Sequence, residues 1–294
     1  MKSISRPGSF LTALAACLLS ALPALAQEGP LENTPPKSIT TEEIIKHFGA
    51  KEKEFKLARD QYTYRQSVKM QTVDGDTVDG EYYEVFDVLY DEKGKRIENV
   101  VFAPVNTLTK IGVTHEDLED VRHRVPFVLT SEEIPEYSIL YVGQQQEDEL
   151  HCYVFDVAPK QIVGKKRYFQ GRLWVDDHDF QIVKTYGKTV PDIKPGKNDE
   201  QLFPKFTTWR QQVDGQYWFP AFSRGDEELH FKSGDVHIRQ IVKFEDYKRF
   251  GSSVKILYQG QEVQKGEPKD QKAPEQSPEQ KKPEAPPNPQ PPQK

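Results

Sequence analysis

The densest group of side chains that could bind a cation is Asp176-Asp177-His178-Asp179. Calcium loops alternate carboxylates with carbonyls over a longer loop that turns at a glycine. Zinc sites need paired histidines or cysteines. A four-residue stretch with no glycine and one histidine reads instead as a solvated acidic turn. Asp74, Asp76 and Asp79, with Gly75 and Gly80, resemble a calcium loop in outline but lack its distal glutamate, so they read as a hairpin turn. Gln144-Gln145-Gln146-Glu147-Asp148-Glu149 reads as a polar hairpin tip with solvated charges. Nothing pairs two carboxylates across a cleft, as glycoside hydrolysis requires. His151 precedes Cys152, but neighbours on a strand point to opposite faces, so the two form no dyad. Cys152 reads as a small buried hydrophobe. There is no G-x-S-x-G, no H-E-x-x-H and no glycine-rich phosphate loop. The sequence therefore predicts no enzyme, no metal and no cofactor.

The aromatic residues are more informative. Tyr64, Tyr82, Phe86, Phe155, Phe169, Trp174, Trp209 and Phe219 all fall on predicted strands. On the concave face of a curved sheet, such rings make an apolar trough that suits acyl chains. The same residue types also make an ordinary core between a sheet and its helices. Both readings stand at this level, and the eight residues are the candidates for a ligand cavity.

Those side chains need strands to position them. Tyr168–Lys184 (YFQGRLWVDDHDFQIVK) predicts a hairpin: strand to Val175, turn at 176–179, return strand from Phe180. Period two puts Phe169, Leu173 and Val175 on one face and Tyr168, Gln170, Arg172 and Trp174 on the other. Neither face is purely polar, so both are expected to be at least partly covered. Further strands are predicted at 62–73, 81–90, 96–103, 137–144, 150–158, 205–213, 217–224, 228–232 and 236–247. Asp-Gly and Ser-Gly-Asp turns join several of them, the pattern of an antiparallel meander. Thr40-Thr41-Glu42-Glu43 opens a helix with Ile44, Ile45 and Phe48 at helical spacing, which continues through Ala58 either unbroken or with a break at Gly49. A short helix is predicted over Val113–His123, and a loop or further short helix over Pro126–Pro135.

The chain ends are of another kind. Lys2 and Arg6, the apolar run Phe10–Leu22 and the small-residue site Ala24-Leu25-Ala26 read as a secretory signal over residues 1–26. The alternative is a lipobox, Leu14-Ala15-Ala16-Cys17, which would acylate Cys17. With the signal removed, Cys152 is the single cysteine left of two, so no intrachain disulfide forms. Residues 27–38 are a polar leader and 39–258 the folded domain. From Gln259 the chain turns proline-rich, with nine prolines in the last 34 residues, and too few apolar groups to offset ordering entropy. It reads as a disordered tail. The net charge is −6, and loss of Lys2 and Arg6 takes it to −8. That disfavours nucleic acid, which needs a basic stripe, and offers no polybasic segment for anionic lipid.

Gly171-Arg172-Leu173-Trp174-Val175-Asp176, followed by Phe180-Gln181-Ile182-Val183-Lys184, resembles the late hairpin of the LolA-like family of outer-membrane lipoprotein-sorting proteins. The opening helix, the strand meander and the mid-chain helix are similar too. The resemblance implies a mainly β (α+β) fold, an incomplete antiparallel β-barrel wrapped around a few helices. It also implies work in the periplasm as a non-enzymatic carrier or binder of lipid or lipoprotein acyl chains in a hydrophobic cavity. The implied partner is a lipid or acylated protein, with peripheral membrane contact. The alternative is an envelope protein-interaction or sensor module whose core is filled.

Overall fold

A computed structural model of the chain describes residues 28–91, 94–193 and 200–250. Residues 1–26, read above as a secretory signal and including Cys17, and the proline-rich tail lie outside them. The fold is mainly β. Helix α1 spans Thr41–Arg59 and leads into β1 (Tyr62–Asp74), β2 (Thr77–Tyr90) and β3 (Arg96–Phe102). Helix α2 (His115–His123) and a 3₁₀ turn (Ile134–Glu136) follow. Then come β4 (Tyr137–Glu147), β5 (Leu150–Pro159), β6 (Tyr168–Asp176), β7 (Ile182–Val190), β8 (Phe206–Val213), β9 (Tyr217–Phe231) and β10 (Gly234–Arg249). The ten strands form one sheet in the order β3-β2-β1-β10-β9-β8-β7-β6-β5-β4, open at β3 and β4. Every neighbouring pair is antiparallel. No helix among the described residues is long and apolar enough to cross a membrane.

Local chemistry explains the helices. Thr40 and Glu43 form a reciprocal capping box at the start of α1, with the Glu43 amide donating to Thr40 Oγ1 at 3.2 Å and the Thr40 amide donating to Glu43 Oε2 at 2.9 Å. Thr114 and Asp117 repeat the device at α2. Of the two alternatives at Gly49, the unbroken one holds: α1 runs through it. A Cβ there would lie 2.4 Å from Ile134 Cδ1, so the glycine serves close packing against the 3₁₀ turn.

The predicted strands at 217–224 and 228–232 are one strand, β9. Gly225 lies where β9 passes the Lys205 carbonyl, at 2.7 Å from the Cβ it lacks, and reads in sequence as a break. The tip at 144–149 is another departure. Gln144 to Glu147 belong to β4, and the leader pairs with them through Gly29 N to Gln146 O at 2.8 Å and Glu32 N to Gln144 O at 2.8 Å. The leader thus covers the β4 edge, a common way to blunt an open sheet. Gly143, at φ +154°, admits it: a Cβ would lie 2.2 Å from the Glu32 carbonyl oxygen.

Both faces of the sheet are partly covered, as the hairpin pattern predicts. The main core lies on the concave side and joins Val68, Val88, Leu173, Val175 and Val242 of the strands to Ile44, Phe48 and Val121 of the helices. A smaller cluster of Cys152, Val154, Trp174 and Val183 lies on the outer side of β5–β7.

Candidate functional site

Strand alternation aims the inner-face residues at α1 and at the segment after α2. Tyr64, Phe86, Phe155 and Phe169 join one buried core. Phe155 meets Phe48 of α1 at 5.6 Å between ring centroids, and Phe169 stacks on Phe127 at 4.4 Å. Tyr82 is half-buried at its margin, its hydroxyl bonded to Glu84. Phe219 belongs to a satellite cluster with Phe55 and Tyr62. Trp174 and Trp209 stand on the outer face. Trp174 alternates with Leu173 and Val175, and its indole donates to Gln145 Oε1 at 2.9 Å beneath the Lys184 ammonium, 4.4 Å from the ring. Trp209 is half-exposed and stacked on Phe222. The sheet therefore brings four of the eight candidates together, borders them with Tyr82, and separates the other three.

Sequence reasoning missed the buried ionic groups around this core. Glu52 of α1 and Arg210 of β8 are both buried and make a two-point pair, at 2.7 and 3.0 Å, and Arg210 also donates to the Phe127 carbonyl. The pair ties α1 to the sheet at the middle of the apolar stripe. Arg96 of β3 lies over Tyr64 and Phe86, 5.7 and 5.9 Å from their ring centroids, and donates to Gln66 Oε1 at 2.7 Å. Its neighbour Glu98 holds Arg122 of α2 at 2.8 Å. Burial pushes the Glu98 carboxyl up, but the Arg122 and Arg96 guanidiniums outweigh it and hold the carboxyl below its ordinary range.

Helix α2 is attached to the core mainly by charge. Val121 is its one fully buried apolar side chain, and Asp120 is its other buried residue. Asp120 Oδ1 lies 3.0 Å from Arg167 Nη1, with both side chains more than nine-tenths buried. The two atoms miss hydrogen-bond alignment, and Arg167 stacks on Phe203 at 3.7 Å. Burial pushes the Asp120 carboxyl up to about 6, against the pull of Arg167. Beside this latch a pocket of about 140 Å³ opens among His123, Arg124, Tyr137 and Phe169, so it reaches the core aromatics at the edge of α2.

The polar clusters singled out in the sequence have structural partners. The 176–179 turn is not simply solvated. The Asp179 amide donates to Asp176 Oδ2 at 2.9 Å, and Asp179 Oδ2 accepts from the Trp218 indole at 3.0 Å. Glu147, expected to be solvated, receives the Lys184 ammonium at 2.9 Å. His151 is exposed and Cys152 buried, and burial drives the Cys152 thiol far above its ordinary range. Glu228, His230 and Asp235 meet on the β9–β10 hairpin, all exposed, with His230 Nδ1 and Asp235 2.8 Å apart.

No protein-family model matches the chain, and no curated protein matches it. Solved structures do. A DUF1329 family protein from Desulfovibrio piger is 13% identical over 70% of this chain and 95% of its own, with a TM-score of 0.35. A LolA superfamily protein from Nitrosomonas europaea is 14% identical over 73% and 95%, with a TM-score of 0.32. A putative outer membrane lipoprotein-sorting protein domain from Vibrio parahaemolyticus is 12% identical over 71% and 94%, also at 0.32. At these identities and scores, the likenesses bear on neither ligand nor partner. The superfamily that the Gly171–Lys184 hairpin resembles is thus among the solved structures to which the chain is similar.

Proposed function

We propose that the protein is a non-enzymatic binder or carrier of acyl chains, exported to the periplasm after cleavage behind Ala26. The chains would enter between α2 and the inner face of the sheet. One observation carries this reading: α2 borders a continuous apolar core, yet Val121 is its single fully buried apolar anchor and ion pairs to Glu98 and Arg167 supply the rest. Ion pairs re-form in water when a helix lifts, whereas a buried apolar stripe resists lifting. Tyr64, Phe86, Phe155 and Phe169 line the proposed path, with Tyr82 at its margin. Each acyl methylene taken out of water contributes about 0.8 kcal/mol. Phe219, Trp174 and Trp209 lie off this path and act through packing or other contacts.

A second reading has its own observation. Phe48 against Phe155, and Phe127 against Phe169, occupy space that a chain would need. On that reading the core stays filled and the protein is an envelope interaction module. Lipid extraction of the purified mature protein, followed by mass spectrometry, separates the two. The carrier reading expects co-purified acyl lipid near one per protein, and an apolar dye that fatty acid displaces. A lipid-free protein that takes up no dye contradicts it and leaves the interaction module.

A further inference from the structure

The loop that joins β5 to β6 is the basic exception on an acidic chain. Residues Lys160–Arg167 (KQIVGKKR) hold four cations and no acid, against a net charge of −6 for the whole. Net charge gave no expectation of a polybasic segment, yet the fold gathers these four on one turn. Residues 160–166 are all exposed. Among the cations stand Ile162 and Val163, 43% and 53% exposed. The Lys166 amide closes the turn by donating to the Val163 carbonyl at 3.0 Å. Gly164, at φ +56°, supplies the left-handed residue, and a Cβ there would meet nothing within 4 Å. The tip Ile162-Val163-Gly164-Lys165 therefore stands in open space.

Two of the four cations have no carboxylate. Lys166 is matched by Glu136 at 2.5 Å, and Arg167 by Asp120 at 3.0 Å. Glu133, which lines the α2 pocket beside Lys166, is taken by Lys56 at 3.2 Å. Lys160 donates to the Pro135 carbonyl at 2.9 Å, which leaves its charge unmatched. Neither Lys160 nor Lys165 forms an ion pair among the described residues. An exposed apolar pair flanked by unmatched lysines has the chemistry of a shallow interfacial anchor. Its apolar side chains enter between lipid headgroups, and its cations meet the anionic ones.

The loop also adjoins the acyl path. A hollow of about 390 Å³ beside it is lined by Pro135, Lys160 and Val163, and shares Glu136, Lys166 and Tyr168 with the 140 Å³ pocket at the edge of α2. A stable protein interface takes about 800 Å² and 20–30 residues a side, which a protruding octet does not supply. Nor does the loop offer a strand edge, since β5 and β6 are paired on both sides. We propose that the β5–β6 loop docks the protein on an anionic bilayer surface. Ile162 and Val163 enter the headgroup layer, and Lys160 and Lys165 face lipid phosphates. Docking in this way sets the mouth of the acyl path at the membrane, but the loop's charge and its exposed pair do not depend on the acyl-chain reading.

Sedimentation of the mature protein with vesicles tests this. Binding to mixed phosphatidylglycerol and phosphatidylcholine vesicles is expected, weakening with added salt, with little binding to phosphatidylcholine alone. Lys160→Gln with Lys165→Gln should weaken it about thirtyfold, the usual weight of two lysines near an anionic surface. Lys243→Gln with Lys248→Gln makes the same charge change on exposed positions of β10 and should leave binding unchanged. Both double variants should keep the unfolding temperature and the uptake of an apolar dye, so a failure of docking is distinct from a failure of the acyl path. A fluorophore on Val163→Cys reads insertion with the lysines in place, since Cys152 is buried. Its emission should shift to the blue on anionic vesicles, while that of a fluorophore on Glu149→Cys, at the other end of β5, should not. No binding to anionic vesicles, equal binding to neutral ones, equal loss in the β10 variant, or an unshifted Val163 label overturns the proposal. So does binding to soluble polyglutamate as tight as to vesicles, the mark of an acidic protein partner.

Discussion

Asp120 sets the behaviour of the α2 latch at the scale of single residues. Its carboxyl rises from an ordinary value of 3.8 to about 6 because burial outweighs the attraction of Arg167. The folded protein therefore binds a proton there that the unfolded chain has released between about pH 4 and 6. Protonation favours the fold, so this contribution to stability declines as pH rises through that window and is constant above it. A shift of this size corresponds to about 3 kcal/mol. Denaturant unfolding of the wild type and Asp120→Asn at intervals from pH 4 to 7 checks the sign. Wild-type stability relative to the variant should fall as pH rises to about 6 and then level off. A difference that grows with pH contradicts the assignment. None of this was legible in the sequence, where Asp120 is one acid among several on a short polar helix. Burial comes from the fold around it, and Arg167 lies 47 positions away.

Buried ion pairs decide how firmly each helix is held. Glu52 and Arg210 pin α1 to β8 with two hydrogen bonds, both side chains being buried. Removing one partner leaves an uncompensated buried charge, at a cost of about 3–5 kcal/mol. Glu52→Ala should therefore lower stability by that amount in urea unfolding. The double variant Glu52→Met with Arg210→Met should recover most of the loss, since matched apolar groups avoid desolvating charge. A double variant as unstable as the single one contradicts this account. The contrast with α2 is one of anchoring: α1 buries Ile44, Phe48 and Phe55 around its ion pair, while α2 buries Val121. Much of the element layout was legible because its causes are local. Thr40 and Glu43 mark the α1 start by themselves, and alternation marks β6. The unity of β9 and the path of α1 through Gly49 were not legible. Each glycine sits at a close approach to a distant segment, and sequence gives no sign of which segment approaches.

At the scale of the whole molecule, the open sheet separates two surfaces. The concave face and its helices enclose Tyr64, Phe86, Phe155 and Phe169. The outer face displays Tyr186 and Trp209. Aromatic content alone could not sort the eight candidates between them, because register and bulges, not residue type, decide which face a ring joins. The hairpin pattern did place Trp174 opposite Phe169, and the structure agrees. The leader along β4 was hidden for a different reason: its polar residues show no strand alternation, and the pairing depends on Gly143 yielding space. The central claim is that acyl chains lie between α2 and the inner face. Photolabelling of the mature protein with a diazirine fatty acid, followed by peptide mapping, tests it most directly. The account predicts adducts on the inner-face residues of β1, β5 and β6 and on α2, lost when excess unlabelled fatty acid competes. Adducts confined to the outer face, or none above the level of unfolded protein, would contradict it.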